Sequence, residues 1–334
     1  MKKMANVFIA TCVSGLSDAV RKILPSTSIT SINRINKDAG PGITHEEVAA
    51  IEKHADILLA DVPVIQAVAH SAQKLKWAAS TWAGVEGLVK FIKDTKTPSF
   101  TVTRMGGAFN TLMCEYVLAN ILARERHVLE LAKQQEAATW DKVPYMKYRS
   151  LSELTVCILG LGEIGTAVAS LCGKLGMKVI GVTRNPVADD RKCPEVTQYS
   201  LVTDLSEVLA VSDYVVSILP STPQSRGLLS ADMFSHCKNK KTVFINIGRG
   251  DVVDEESIVK AINNGWLGGA VLDVFDQEPL PPTSRLWSLP GVIVTPHLAG
   301  PSTANQCAVS FCENYQRFVK GEELKFVIDF QRGY

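Results

Sequence analysis

Three side chains with complementary chemistry stand in the second half of this chain. Arg249 lies in Asn246-Ile247-Gly248-Arg249-Gly250, Glu278 in Asp273-Val274-Phe275-Asp276-Gln277-Glu278-Pro279, and His297 in Thr295-Pro296-His297-Leu298-Ala299-Gly300. Each segment ends a short apolar run that reads as a strand, and in open α/β sheets the carboxyl ends of strands face the ligand crevice. Taken alone, each residue has a plain reading: a turn arginine, a loop acid, a histidine at a helix start. Together they supply a permanent cation, a carboxylate and an imidazole. An unperturbed imidazole pKa of about 6.5 lets histidine give or take a proton near neutral pH.

A fourth segment gives the other three a context. Gly160-Leu161-Gly162-Glu163-Ile164-Gly165 follows the apolar run Thr155–Leu159 and opens a helical pattern. A bare G-x-G-x-x-G is weak, but between a strand and a helix it is a dinucleotide fingerprint. Gly160 permits the tight turn, Gly162 lets a pyrophosphate approach the backbone, and Gly165 lets helix and strand pack closely. Leu161, Glu163 and Ile164 complete the turn, and the helix N-terminus offers N–H groups to the phosphates. About 20 residues on, an NAD-selective site carries an acid for the ribose 2′-hydroxyl. Here the strand ends Val182-Thr183-Arg184-Asn185, without an acid. Thr183 can donate to a 2′-phosphate and Arg184 can pair with it, so NADP(H) is expected in preference to NAD(H).

The elements that must position these residues follow a βα alternation, the signature of a parallel α/β architecture. In the first third, Thr44-His45-Glu46-Glu47 reads as a capping box, followed by a strand at 57–60, a helix at 62–72 and a strand at 77–80. A helical pattern spans 110–135 without interruption, with Leu112, Met113, Tyr116, Val117, Ile121, Leu122, Val128, Leu129 and Leu131 at three- and four-residue steps. Six strands are then expected at 155–159, 179–182, 214–219, 243–247, 270–274 and 292–295. The intervening helices are expected at 166–175, 205–210 and 255–263. This is a doubly wound parallel sheet.

In combination these segments resemble the D-isomer-specific 2-hydroxyacid dehydrogenase family over essentially the whole chain. The resemblance rests on Gly160–Gly165, Gly248-Arg249-Gly250, Asp276-Gln277-Glu278-Pro279 and Pro296-His297-Leu298-Ala299-Gly300. Trp82-Ala83-Gly84-Val85-Glu86 is similar to the family's substrate-carboxylate loop, and Glu115-Tyr116 to the helix entering its cofactor domain. Within the family, the strand end at Thr183-Arg184 and the compact length are most similar to the glyoxylate/hydroxypyruvate reductases.

The resemblance implies two Rossmann-like domains, a cofactor domain (109–296) inserted into a flavodoxin-like substrate domain (1–108 and 297–334). It implies a cleft between them that closes before hydride transfer, and a homodimer built through the cofactor domain. Arg249 would hold the substrate's carboxylate and carbonyl, His297 would be the acid/base, and Glu278 would orient His297 and favour its imidazolium. The substrate is expected to be a small 2-oxo or 2-hydroxy acid, met also by Trp82, Ala83, Gly84 and Val85. Cofactor contacts are expected as well at Leu219, Pro220, Ile247, Gly248, Arg249, Asp273, His297 and Gly300. Glu86 departs from the Asp of many relatives, and bulky Trp82 and Trp287 could favour short substrates. A second class on the same fold, dinucleotide-sensing corepressors, also keeps an Arg, a Glu and a His, and is told apart by peptide binding.

Composition sets limits around this reading. At 334 residues, with 46% hydrophobic and 21% charged residues, the chain suits a two-domain globular protein. A formal net charge of +1 argues against a nucleic-acid or anionic-membrane partner. The start, Met1-Lys2-Lys3-Met4 and the apolar residues after it, reads as a first strand rather than a signal, and no stretch approaches a membrane span. The last residues, Gln331-Arg332-Gly333-Tyr334, match no retention address, so a cytoplasmic location is expected. The 8 cysteines are scattered, without C-x-x-C or clustered histidines, so reduced core thiols and no metal site are expected.

Overall fold

The structure is a computed structural model and describes residues 5–33 and 43–331. The readings at Met1–Met4 and Arg332–Tyr334 lie outside the described residues. The chain divides into two compact units, 1–109 with 302–334, and 110–301. Both are α/β, with wholly parallel sheets.

The first unit carries β1 (Val7–Thr11), α1 (Leu16–Ile23), β2 (Ile29–Asn33), α2 (His45–His54), β3 (Ile57–Ala60), α3 (Val62–Val68), β4 (Trp77–Ser80), α4 (Glu86–Asp94) and β5 (Thr101–Thr103), and the long helix Ala304–Lys320. Its strand order, β2-β1-β3-β4-β5, is the flavodoxin-like one. The capping box forms as expected: the Glu47 amide donates to Thr44 Oγ1 (3.2 Å) and the Thr44 amide to Glu47 Oε2 (2.8 Å). The returning helix joins this unit through aromatic packing. Trp77, fully buried on β4, stacks on Phe311 and Phe318, with ring centroids 5.2 and 5.7 Å apart.

The second unit carries α5 (Asn110–Glu125), α6 (Val128–Glu136), β6 (Thr155–Leu159), α7 (Glu163–Lys174), β7 (Lys178–Thr183), β8 (Gln198–Leu201), α8 (Leu205–Val211), β9 (Tyr214–Ser217), β10 (Thr242–Asn246), α9 (Glu255–Asn263), β11 (Leu267–Leu272) and β12 (Val292–Val294). Its order is β12-β11-β10-β9-β6-β7-β8. The direction of winding reverses at β6, which pairs with both β7 and β9. The loops after β6 and β9 therefore flank the topological switch point, where doubly wound sheets bind ligands. Strand residues 156–159 are buried on both faces, each contributing about 1.5–3 kcal/mol of transfer free energy where the side chain is a Val, Leu or Ile.

Three expectations are corrected. The sheet has seven strands, not six, because Gln198–Leu201 forms an edge strand. The single helix at 110–135 is two, broken at His127, whose φ of 52° is left-handed. The broken corner is packed: the His127 ring lies 5.2 Å from that of Tyr145. Finally, the return crossing was placed at 296/297, whereas the compact units part at 301/302. His297 thus belongs to the same unit as Arg249 and Glu278, because Asp273, after β11, binds the Leu298 and Ala299 amides (2.8 and 2.9 Å).

The end of α5 is fixed by an ion network. Glu125, buried, accepts from Arg149 Nε (3.0 Å) and from the Tyr214 hydroxyl (2.6 Å), and Arg149 also pairs with Asp213 (3.0 Å). Burial alone would push the Glu125 carboxyl up. The hydrogen bonds from Arg149 and Tyr214, and the charges of Arg149 and Arg124, outweigh it and hold the group below the usual carboxylate range. A carboxyl depressed on folding contributes stability above its unfolded pKa of about 4.3, and that contribution is lost as pH falls through the folded value. The melting temperature should therefore drop as pH is lowered below about 4, and Glu125→Gln should flatten that part of the profile. Thermal melts of both proteins across the acid range measure this.

Candidate active site

Within the second unit, the carboxyl ends of β6, β9, β10 and β11 carry most of the residues singled out by sequence. After β6, Gly160 has a φ of 97° and its amide bonds the Val182 carbonyl (3.0 Å) of the neighbouring strand β7, so the turn begins where the ladder ends. Any Cβ at 165 would run into the carbonyl oxygen of Gly160, so the helix can start this close to the strand only with glycine there. Gly162 is the N-cap of α7, with no side-chain cap, and the space its side chain would occupy is open. The head of this 12-residue helix thus has room, and uncapped amides, for a pyrophosphate. Glu163 is exposed, while Leu161 and Ile164 pack on the core. Leu219, in the loop after β9, lies against Gly160, and Pro220 beside it is exposed.

At the end of β7, Arg184 is exposed and the Thr183 hydroxyl donates to the Asn185 carbonyl (2.8 Å). The Thr183 proton expected for a phosphate is spent on the backbone here, which leaves Arg184 as the cation of this strand end. The nearest following acids are Asp189 and Asp190. Asp189 pairs with Lys192 (2.7 Å), and that contact holds its carboxyl below the usual range.

Arg249 follows β10 on a turn shaped by buried Asn246, whose side chain donates to the Arg249 carbonyl (3.0 Å) and accepts from the Gly248 amide (3.3 Å). Ile247 is buried, so it can offer a ligand only its backbone. Gly250 meets the Phe275 backbone so closely that no Cβ would fit, which brings the Arg249 turn against the segment leading to Glu278. Glu278 Oε1 accepts from the Phe275 amide (2.9 Å), and Oε2 receives His297 Nδ1 at 2.7 Å. A carboxylate only accepts, so Nδ1 carries the proton and Nε2 is left for other chemistry. The His297 side chain is 54% exposed and Glu278 35%, so the pair meets solvent or substrate directly.

Asp273 and Gly300, expected as cofactor contacts, show structural engagements of their own. The Asp273 carboxylate, on a residue 1% exposed, accepts from the Thr295 hydroxyl (2.5 Å) and from the amides of Leu298 and Ala299. The Thr295 hydroxyl in turn meets the Tyr116 hydroxyl at 2.7 Å. Sequence reasoning missed Tyr116 and Thr295 in this capacity, and no local spacing announces a contact 179 residues apart. Gly300 lies against Met113. A cavity of about 340 Å³ borders the same loops, lined among others by Asn246, Gly250, Phe275 and Asp276, but not by Arg249, Glu278 or His297.

In the first unit, Trp82 is 42% exposed and Val85 is buried as the N-cap of α4. Their turn is anchored by the Trp82 amide on Ser80 Oγ (3.0 Å) and by the Trp82 carbonyl, which accepts from the Met105 amide (3.0 Å). Ala83 and Gly84 lie between, half-buried. Buried Asp61, unflagged by sequence, holds the strand ends there by accepting from Thr11 (2.6 Å) and Thr81 (2.5 Å). Trp287, in the second unit, gives its indole N–H to the Pro281 carbonyl (2.9 Å).

The model of the D-isomer specific 2-hydroxyacid dehydrogenase NAD-binding domain matches residues 118–299, more than half of the chain. The chain belongs to the D-isomer-specific 2-hydroxyacid dehydrogenase family. A curated relative, glyoxylate/hydroxypyruvate reductase A of Photorhabdus laumondii, is 32% identical over 84% of this chain and 88% of its own length. A D-isomer specific 2-hydroxyacid dehydrogenase family protein of Aeromonas salmonicida superposes with a TM-score of 0.83 at 32% identity, over 98% of this chain and all of that one. The NADPH-dependent glyoxylate/hydroxypyruvate reductase of Sinorhizobium meliloti, solved with NADP and sulfate, gives 0.78 at 26% identity, over 99% of this chain and all of that one. Members of the family are NAD(P)-dependent oxidoreductases, and this chain is a 2-hydroxyacid dehydrogenase of that kind. No helix among the described residues is long and apolar enough to cross a membrane, and no group of acids, histidines and cysteines among them could hold a metal.

Proposed function

We propose that the chain reduces a small 2-oxo acid, glyoxylate to glycolate or hydroxypyruvate to the D-2-hydroxy acid, with NADPH, and that His297 Nε2 supplies the proton. The observation that carries this reading is the 2.7 Å contact between His297 Nδ1 and Glu278, which fixes the tautomer and leaves Nε2 to work. The relatives described above support the same reading, as reductases of glyoxylate and hydroxypyruvate, one of them NADPH-dependent.

In the proposed mechanism the Arg249 guanidinium holds the substrate carboxylate by its planar fork and polarises the 2-oxo group. His297 Nε2–H donates to the carbonyl oxygen as negative charge grows there, and Glu278 steadies the imidazolium and keeps the ring oriented. In the first unit, the Gly84 and Val85 amides are proposed as an anion-binding turn for a carboxylate. Residues Gly160–Ile164, Arg184, Leu219, Pro220, Ile247, Gly248 and Gly300 would hold the dinucleotide, with Thr183 and Asp273 shaping strand ends beside it. When bound, reduced nicotinamide supplies the hydride. In the reverse direction neutral His297 takes the hydroxyl proton.

The proposal extends to a homodimer formed through the second unit. Trp140, Val143, Met146 and Tyr148 are exposed, Trp140 at 96%, an apolar set of the kind that marks an interface.

The cofactor half of the reading is tested at Arg184. A charge-assisted contact is worth about 1.5–3 kcal/mol, so Arg184→Ala should lower the NADPH-over-NADH ratio of kcat/KM by about 10- to 150-fold, with NADH kinetics little changed. Steady-state kinetics with both dinucleotides measure it. An unchanged ratio would remove Arg184 from the cofactor site.

A further inference from the structure

We propose that Tyr116 is a positioning residue for His297, acting through Thr295 and Asp273. The proposal rests on the reading of His297 as proton donor and adds to it a polar relay running from α5 to the loop that carries the imidazole. Thr295 has one hydroxyl proton, and it goes to Asp273, which as a carboxylate can only accept. The 2.7 Å contact between Thr295 and Tyr116 must therefore be donated by the phenol. The relay has a direction: Tyr116 to Thr295 to Asp273.

Asp273 is where the relay meets the loop. Besides the Thr295 hydroxyl, its carboxylate takes the amides of Leu298 and Ala299, and its backbone carbonyl takes the amide of His297 (2.9 Å). Residues on both sides of His297 thus hang from one buried aspartate. His297 itself has a φ of 55°, a left-handed conformation that costs a non-glycine residue energy and persists where its surroundings over-determine it. The Asp273 bonds over-determine it. The bond to Asp273 orients the Thr295 hydroxyl, and the Tyr116 proton on its lone pair holds the same oxygen from a second side. Burial, aided by the charge of Asp273, pushes the Tyr116 phenol up against the lowering effect of its Thr295 bond, so it stays a donor through the working pH range.

Misplacing a reacting group by a fraction of an ångström lowers the rate of the chemical step more than it lowers binding. Tyr116→Phe keeps the ring and removes only the donor. It should lower kcat by about three- to tenfold, the range of one lost hydrogen bond, with the NADPH Kd, read by fluorescence quenching, unchanged. Thr295→Ser keeps the relay and should retain wild-type kcat, whereas Thr295→Val should lose at least as much as Tyr116→Phe. The Tyr116→Phe/Thr295→Val double variant should be no slower than Thr295→Val alone, because residues of one network are not additive. Wild-type kcat in Tyr116→Phe, a parallel weakening of NADPH binding, or a double variant whose loss is the product of the singles would each overturn the proposal. His297→Asn, assayed alongside, separates the two claims. If it turns over normally, the proton-donor reading fails. If it is inactive while Tyr116→Phe is normal, only the relay fails.

Discussion

His297→Asn should lower kcat by about 10²–10⁴-fold, the usual contribution of a positioned general acid, while the NADPH Kd stays within about twofold of the wild type. Asparagine retains a polar side chain of modest size, but its amide protons are far too weakly acidic to be transferred to a developing alkoxide. The loss should appear in kcat and kcat/KM together, the pattern of an interaction made only in the transition state. Glu278→Gln should follow at smaller cost, because it leaves the imidazole in place and weakens its hold: the 2.7 Å contact with Nδ1 would lose its charge, a change of about 1–1.4 kcal/mol, or roughly five- to tenfold in rate. Pre-steady-state kinetics with saturating NADPH measure both. Wild-type turnover in His297→Asn would assign the proton to another group.

Arg249→Gln should produce the opposite split, a rise in KM for the 2-oxo acid larger than the fall in kcat. Paired hydrogen bonds from a guanidinium to a carboxylate contribute about 1.5–3 kcal/mol each, so kcat/KM should fall by about 10²–10⁴-fold. Arg249→Lys should recover only part of this, since an ammonium cannot reproduce the planar fork. The turn should survive either change. Asn246 holds it through the backbone of residues 248 and 249, and those bonds remain when the Arg249 Nη1 contact with the Gly248 carbonyl (2.7 Å) is lost. A KM unchanged in both variants would remove Arg249 from the substrate.

Much of the fold was legible because buried parallel strands have a strong apolar signature. The strands at 57–60, 77–80 and 155–159 and the helix at 255–263 have the bounds read from sequence. The strands that escaped are all at sheet edges. Ile29–Asn33, Thr101–Thr103 and Gln198–Leu201 flank their sheets, where polar residues are tolerated. The break at His127 was hidden for a different reason. Neither glycine nor proline marks it, and Ile121, Leu122, Val128 and Leu129 keep helical spacing across it. What bends the chain there is packing on Tyr145 and Tyr148, a tertiary effect that overrides local pattern.

In the candidate site, the residues with acid, base or cationic side chains at strand ends could be picked from sequence because their type announces their chemistry. The supporting residues could not. Tyr116 reads as one apolar position of a helix, and Asp61 as an acid before a helix-start proline. Their partners, Thr295 for Tyr116, and Thr11 and Thr81 for Asp61, are brought near only by the fold. Thr183 shows the converse: its type suits a phosphate, yet its proton is already committed to Asn185.

The most direct test is the oxidation of NADPH by the purified full chain on addition of glyoxylate or hydroxypyruvate, with the product of the latter resolved by chiral chromatography. Consumption of NADPH with formation of D-glycerate is the predicted result. Tight NADPH binding without turnover of either acid, or formation of L-glycerate, would contradict the proposed reaction.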